Sequence, residues 1–179
     1  MTIILGIDPG SRTTGYGVIE IEKGGYRHIE SGALRIRGET LPERLHAIFE
    51  AVSEVLDRCQ PDEFAIENVF MHRNADSALK LGQARGAAIC TAANRDLTVY
   101  EYTPAEIKQA VVGRGNAAKQ QVQMMVRALL NLQSNPQADE ADALACAICH
   151  GNRSHSMDRM GLSTEERGCV TGWKGRRPR

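Results

Sequence analysis

The opening run of the chain constrains the fold more than any other stretch. Ile3-Ile4-Leu5-Gly6-Ile7 is continuously apolar and stops at Asp8-Pro9-Gly10, a combination that turns the chain. It reads as a short buried strand that delivers a carboxylate to its own end. A buried strand needs a core around it. The 179 residues, 42% of them apolar and 25% charged, supply one domain's worth and little room for a second.

The pattern that follows is a meander. Tyr16–Ile21 and Tyr26–Ser31 are strand candidates joined by Lys23-Gly24-Gly25, a hairpin signal, and Gly32–Arg37 continues the antiparallel pairing. Helical spacing then takes over at Leu41, Leu45, Ile48, Phe49, Val52, Val55 and Leu56, with Thr40 and Glu43 forming a capping box. Asp62–Asn68 is a short strand, residues 75–95 a helix rich in small residues, and Leu97–Tyr102 a further strand. Thr103-Pro104-Ala105-Glu106 opens another helix, with a cap, proline at its first position and glutamate at its third, and Gly113 closes it. Helices over 117–131 and 138–149 follow. Hairpin, helix, strand, helix, strand and helices together predict an α/β fold, a mixed sheet with helices on its faces. From Gly151 the chain turns polar and basic without apolar periodicity, which reads as a mobile tail over 151–179 after a single domain over 1–150.

Several function classes are disfavoured. No apolar run reaches the ~18–20 residues that a membrane helix needs. The N-terminus has no basic segment ahead of its apolar run, unlike a secretory signal. Five cysteines in no framework spacing fit a reducing compartment, the cytoplasm. Cys146-Ala-Ile-Cys149-His150 spells a haem-attachment motif, but thiols three apart in a small-residue helix also behave as small hydrophobes, and no second ligand pair follows to build a zinc site. Net charge is zero, yet residues 1–71 carry seven Lys/Arg against twelve Asp/Glu and residues 72–119 seven against four. A local basic field of that kind can engage phosphates.

Four carboxylates stand out. Asp8 and Glu67 each end an apolar strand, and they converge if those strands are parallel neighbours. Asp139 and Asp142 lie three apart at a helix start and share one face. Four such groups on one patch repel unless cations lie between them, and oxygen-only ligation suits Mg²⁺ or Mn²⁺. Taken singly, each residue has a plainer role open to it. An aspartate before Pro-Gly forms turns, and acids in a first helical turn complement the helix dipole.

In order along the chain, Ile4-Leu5-Gly6-Ile7-Asp8-Pro9-Gly10-Ser11, Phe64-Ala65-Ile66-Glu67, the run Asn74 to Gly86 and the run Asn135 to Ala145 resemble the motifs of the RuvC family of Holliday junction resolvases. The resemblance covers residues 2 to about 150. It implies a ribonuclease H-like fold with a five-stranded mixed sheet and a homodimer making paired symmetric nicks across a four-way DNA junction. It also implies two Mg²⁺ ions held by Asp8, Glu67, Asp139 and Asp142, and cooperation with a branch-migrating motor. It marks Lys108 and Lys119 as functional basic residues, where pattern alone reads two solvated helix lysines. It favours Phe70 as a wedge stacking on unpaired bases over an aromatic folded back onto the core. Arg73 and Arg114 are candidates for phosphate contact by position only. Gly82 and Gly86, four apart on one helix, predict close approach either to the sheet or to a second subunit across a two-fold axis.

Two rival readings follow from the same residues. Leu5 to Gly15 resembles the first phosphate loop of actin-like ATPases and sugar kinases, which need a duplicated lobe that 179 residues do not hold. A non-catalytic junction-binding module or an RNA-processing nuclease is the other, and the presence of all four acids argues against a dead module.

Overall fold

The computed structural model describes residues 1–69 and 75–159. Its strands are β1 (Ile3–Asp8), β2 (Thr13–Glu22), β3 (Gly25–Arg35), β4 (Glu63–Glu67) and β5 (Val99–Tyr102), forming one sheet in the order β3-β2-β1-β4-β5. The β1–β2 and β2–β3 pairs are antiparallel, whereas β1–β4 and β4–β5 are parallel. The apolar opening run is therefore the central strand, as its composition requires. The two segments read separately as Tyr26–Ser31 and Gly32–Arg37 form one long strand, Gly25–Arg35, whose register with β2 shifts at a bulge between Val18 and Ile19. Its hairpin turns at Lys23-Gly24, where Gly24 takes φ +98°, a conformation open to glycine.

The helices are α1 (Leu41–Cys59), α2 (Ala75–Ala93), α3 (Pro104–Val112), α4 (Lys119–Leu129) and α5 (Ala138–Arg159). Both predicted capping boxes form. Thr40 Oγ1 accepts from the Glu43 amide while Glu43 accepts from Thr40, and Thr103 and Glu106 repeat the arrangement. Each such cap contributes about 1 kcal/mol. Gly113 ends α3 in the left-handed region at φ +79°.

Alternation along the strands sorts the core into two layers. Leu5, Ile7, Phe64 and Ile66 face α1 and α2, meeting Ile48, Val52, Ala84 and Ala88. Ile4 and Ala65 face the other way, toward Ile107, Val126, Leu144 and Ile148 of α3, α4 and α5. By the two-residue period of a strand, Asp8, Glu63 and Glu67 belong to this second face.

α5 lies directly on the sheet because three strand positions lack side chains. Gly6 and Gly17 are cross-strand partners, and Gly15 pairs with Asp8. A Cβ on Gly6 would stand 2.3 Å from the Ala143 carbonyl oxygen, one on Gly15 would stand 1.9 Å from that of Asp139, and one on Gly17 would stand 2.6 Å from Leu144. Substitution at any of them would push the helix away.

α5 also runs ten residues past its predicted end at residue 149, so residues 151–159 are helical and do not begin a tail. The reason is tertiary. Gly151 is buried against the Tyr26 ring, and Asn152 bonds both the Tyr26 hydroxyl (2.7 Å) and the Ala110 carbonyl (3.1 Å). These contacts hold a polar helical turn that shows no periodicity in sequence. The part of the expected tail beyond Arg159 lies outside the described residues.

The haem-like motif belongs to the core. Cys146 and Cys149 are buried, and burial pushes the Cys146 thiol well up and that of Cys149 up to about 12. Both His150 ring nitrogens are engaged, Nδ1 with the Tyr102 hydroxyl (2.6 Å) and Nε2 with Glu63 (2.8 Å). No helix among the described residues is long and apolar enough to cross a membrane.

Candidate active site

The site forms where the sheet order places two strand ends side by side. β1 and β4 run parallel with Ile7 opposite Ile66, so the next residues, Asp8 and Glu67, leave the sheet as neighbours on its α5 face. The glycine seat brings the start of α5 to the same edge. Three acids occupy that first stretch and divide their work. Glu140 accepts from the Gln137 amide (3.0 Å) and from Ser31 (2.6 Å), which fixes the helix start on β3. Asp142 points into a cleft, and Asp139 acts on Asp8 through its charge.

That cleft, of about 210 Å³, is lined by Asp8, Glu67 and Asp142, by Lys108 and Lys119, and by Pro104, Ile107 and Val122 as an apolar wall. It is smaller than the ~300–1,000 Å³ usual for small-molecule pockets, which suits ions, water and a single phosphate. Asp139 does not line it. Lys108 is half-buried on α3, contrary to the solvated-lysine reading, and Lys119 begins α4 with its ammonium 3.1 Å from Asp142 Oδ2. Arg114 is exposed between α3 and α4 and is not part of the lining. Phe70 and Arg73 lie outside the described residues.

The electrostatics report crowded negative charge. Burial, then Glu67, Asp142 and Asp139, push the Asp8 carboxyl up to about 8, with Lys119 opposing. Burial and Asp142 push Glu67 up to about 7, against Lys119 and Lys108. The Lys119 ammonium is held above its ordinary range by Asp142, Asp8 and Glu67. Two lysines therefore leave three nearby carboxylates incompletely balanced. Among the described residues, no three potential ligands stand close enough together to cage an ion as they are. The all-carboxylate donor set fits a hard, oxygen-seeking dication such as Mg²⁺ or Mn²⁺.

Two parts of this assembly had no counterpart in the sequence reading. The glycine seat was one; Gly6, Gly15 and Gly17 alternate with strand-forming residues, a pattern that marks close backbone approach. The apolar wall was the other, since Pro104, Ile107 and Val122 register only as ordinary helix positions.

A five-stranded mixed sheet with acids at the adjacent ends of its central strands and on a helix across them has the layout of one class: a nuclease of the ribonuclease H-like fold. Known proteins agree. The family described as crossover junction endodeoxyribonuclease RuvC matches residues 4–150. The crossover junction endodeoxyribonuclease RuvC of Enterobacter sp. (strain 638) is 61% identical over 163 residues, covering 91% of this chain and 94% of that protein. That of Hahella chejuensis is 56% identical over 169 residues, covering 94% and 98%. The structure of Thermus thermophilus RuvC in complex with a Holliday junction substrate superposes with a TM-score of 0.82 at 36% identity, covering 90% of this chain and 97% of that one. The chain belongs to the RuvC family of crossover junction endodeoxyribonucleases.

Proposed function

We propose that this chain resolves Holliday junctions in recombination and repair, as a homodimer that places one nick in each of two opposed strands by Mg²⁺-dependent phosphodiester hydrolysis. The carrying observation is the meeting of Asp8, Glu67 and Asp142 with Lys108 and Lys119 in one cleft of a RuvC-family fold. Family membership is the chief support for the substrate, because relatives bear the junction-nuclease name and the Thermus thermophilus protein was captured on a junction.

Asp8, Glu67, Asp139 and Asp142 would hold two divalent ions. Bound there, these ions supply the charge that activates an attacking water and steadies a departing 3′ oxygen. The protein's own part is arrangement. β1 and β4 fix Asp8 and Glu67, and α5 brings Asp142 across to them. The apolar wall limits water around the carboxylates, which strengthens their hold on cations. Lys119, now bonded to Asp142, and Lys108, which lines the same cleft, would meet the scissile phosphate once cations balance the acids. Phe70 is assigned to the crossover bases, and Arg73 and Arg114 to the DNA backbone.

The dimer reading draws support from α2. Among the described residues, an added Cβ on Gly82 or Gly86 would meet no atom within 4 Å beyond the helix's own backbone, so these glycines do not serve packing on this chain's own sheet. Beside them Leu79 is exposed. A two-fold axis there would set two equivalent clefts on opposing strands. The family resemblance supports a branch-migrating motor as partner, and the absence of disulfides among the described cysteines fits work on DNA in the cytoplasm.

The test is nicking of a four-way junction in Mg²⁺, with Ca²⁺ expected to support binding and little cutting. Wild-type cutting by Asp8→Asn, Glu67→Gln and Asp142→Asn would end the assignment. Competition with structured RNA separates this reading from an RNA-processing nuclease.

A further inference from the structure

A mostly buried cation stands behind Glu67, on the opposite face of the sheet from the cleft. Arg85 lies midway along α2, with its side chain 17% exposed. Its Nε donates to the backbone carbonyl of Glu67 at 3.3 Å, and its Nη2 pairs with the Glu101 carboxylate on β5. Glu101 is the register partner of Ile66, one residue before Glu67, so the guanidinium spans the last rungs of β4 and β5. The charges acting on the Glu67 carboxylate come from Asp142, Lys119 and Lys108. Arg85 addresses the main chain of this residue.

Among the described residues, the end of β4 is held by its pairing with β5, where Glu67 stands opposite Tyr102. Past Glu67 the Asn68 amide donates to the Tyr102 carbonyl at 2.7 Å, and the chain then leaves the sheet. A strand terminus carrying a carboxylate that its neighbours repel tends to fray. Arginine suits this position because Nε and Nη2 form one rigid edge that reaches a carbonyl and a carboxylate together. An ammonium has all its donors on one atom and cannot span both.

We propose that Arg85 is a positioning residue for the reaction. Anchored by Glu101, it clamps the Glu67 carbonyl and so fixes where the Glu67 carboxylate stands relative to Asp8. Because Arg85 also lines a groove on α2 with Val69, Leu79 and Gly82, it joins the outer face of that helix to the cleft through one side chain. The inference rests on the proposed junction-cutting role of Glu67.

The experiment compares Arg85→Met, Arg85→Lys and Glu101→Gln with wild type and Glu67→Gln as full-length proteins. Five quantities are read: nicking turnover, half-saturating Mg²⁺, junction affinity in Ca²⁺, dimer mass by sedimentation, and amide exchange at Asn68. Misplacing a reacting group by about 1 Å costs on the order of 100-fold, so Arg85→Met should lose about that much turnover at saturating Mg²⁺. Arg85→Lys should recover little of it and Glu101→Gln should fall between, with junction affinity and dimer mass as in wild type. Loss of a charged hydrogen bond at the strand end should speed Asn68 exchange about tenfold or more. Wild-type turnover in Arg85→Met, a loss matched by dissociation of the dimer, or a loss with Asn68 exchange unchanged, overturns the proposal. If Arg85→Met does not fold, Arg85→Lys and Glu101→Gln decide it by the same readings. Glu67→Gln separates the two levels: its cutting at the wild-type rate would sink the junction-nuclease reading itself, whereas an inactive Glu67→Gln beside a fully active Arg85→Met would sink only the role of Arg85.

Discussion

Glu63 and Glu67 begin and end the same strand, face the same helix, and have opposite fates. At one end α5 offers His150, 2.8 Å from Glu63, and the histidine's other nitrogen is taken by Tyr102. Both ring nitrogens of the buried His150 thus find partners, as buried groups require. At the other end α5 offers Asp142, a second negative charge, and Glu67 is pushed up to about 7. One pairing satisfies a buried charge and holds two elements together. The other leaves carboxylates that Lys119 and Lys108 offset only in part. The difference shows how a single strand–helix contact can serve stability at one end and chemistry at the other.

The contrast can be broken most forcefully at Asp8 and Glu67. Asp8→Asn or Glu67→Gln should lower cutting by two to three orders of magnitude, the usual cost of removing one preorganised electrostatic group. Asp8→Asn should at the same time raise the melting temperature of the metal-free protein, because it removes a charge that burial and three acids oppose. A junction-nicking time course and a melt in chelator check both, and a lower metal-free melting temperature would count against the repulsion argument.

Next in size is the glycine seat. Gly15→Ala would place a methyl inside contact distance of the Asp139 carbonyl, so the start of α5 must move. Overpacking of this kind costs about 1–3 kcal/mol in denaturant melts, and a shift of Asp139 and Asp142 by about 1 Å should cost roughly 100-fold in cutting.

At the satisfied end, His150→Leu strips partners from Glu63 and Tyr102 together. It should cost about 2–4 kcal/mol by urea unfolding, the usual toll for stranded buried polar groups, while cutting per folded molecule stays near wild type. Loss of cutting in proportion to Mg²⁺ affinity would show that the two ends are not separable.

The remaining effect is a slope. The unfolded chain releases the Asp8 and Glu67 protons near their ordinary values of 3.8 and 4.5, whereas the folded chain releases them near 8 and 7. The folded state therefore binds more protons across that interval, and metal-free protein loses stability as pH rises from about 4 to about 8. Melts in chelator should show this decline, and saturating Mg²⁺ should flatten it. A metal-free stability that rises over pH 6–8 would contradict the raised values.

What the sequence disclosed was local or periodic. Capping boxes at Thr40 and Thr103, the turn at Gly24 and the apolar run of β1 follow from residues within a few positions of each other. The carboxylates were legible through four ordered motifs, since nothing in the composition joins Asp8 to Asp142. What stayed hidden depends on atoms far apart in the chain. Tyr26 extends α5 past Gly151, Ala143 and Asp139 give Gly6 and Gly15 their purpose, and Glu101 turns Arg85 from a helix charge into a clamp. The four acids were found as letters; their spacing exists only in the folded molecule.

The seat under α5 has one more consequence. Gly6, Gly15 and Gly17 act as a gauge block made of missing atoms, because the distance from helix to sheet is the thickness of bare backbone. Side chains at a contact could repack and let that distance drift, but bare main chain has nothing left to compress. A mechanism that relies on ångström tolerances thereby borrows its calibration from the peptide group itself.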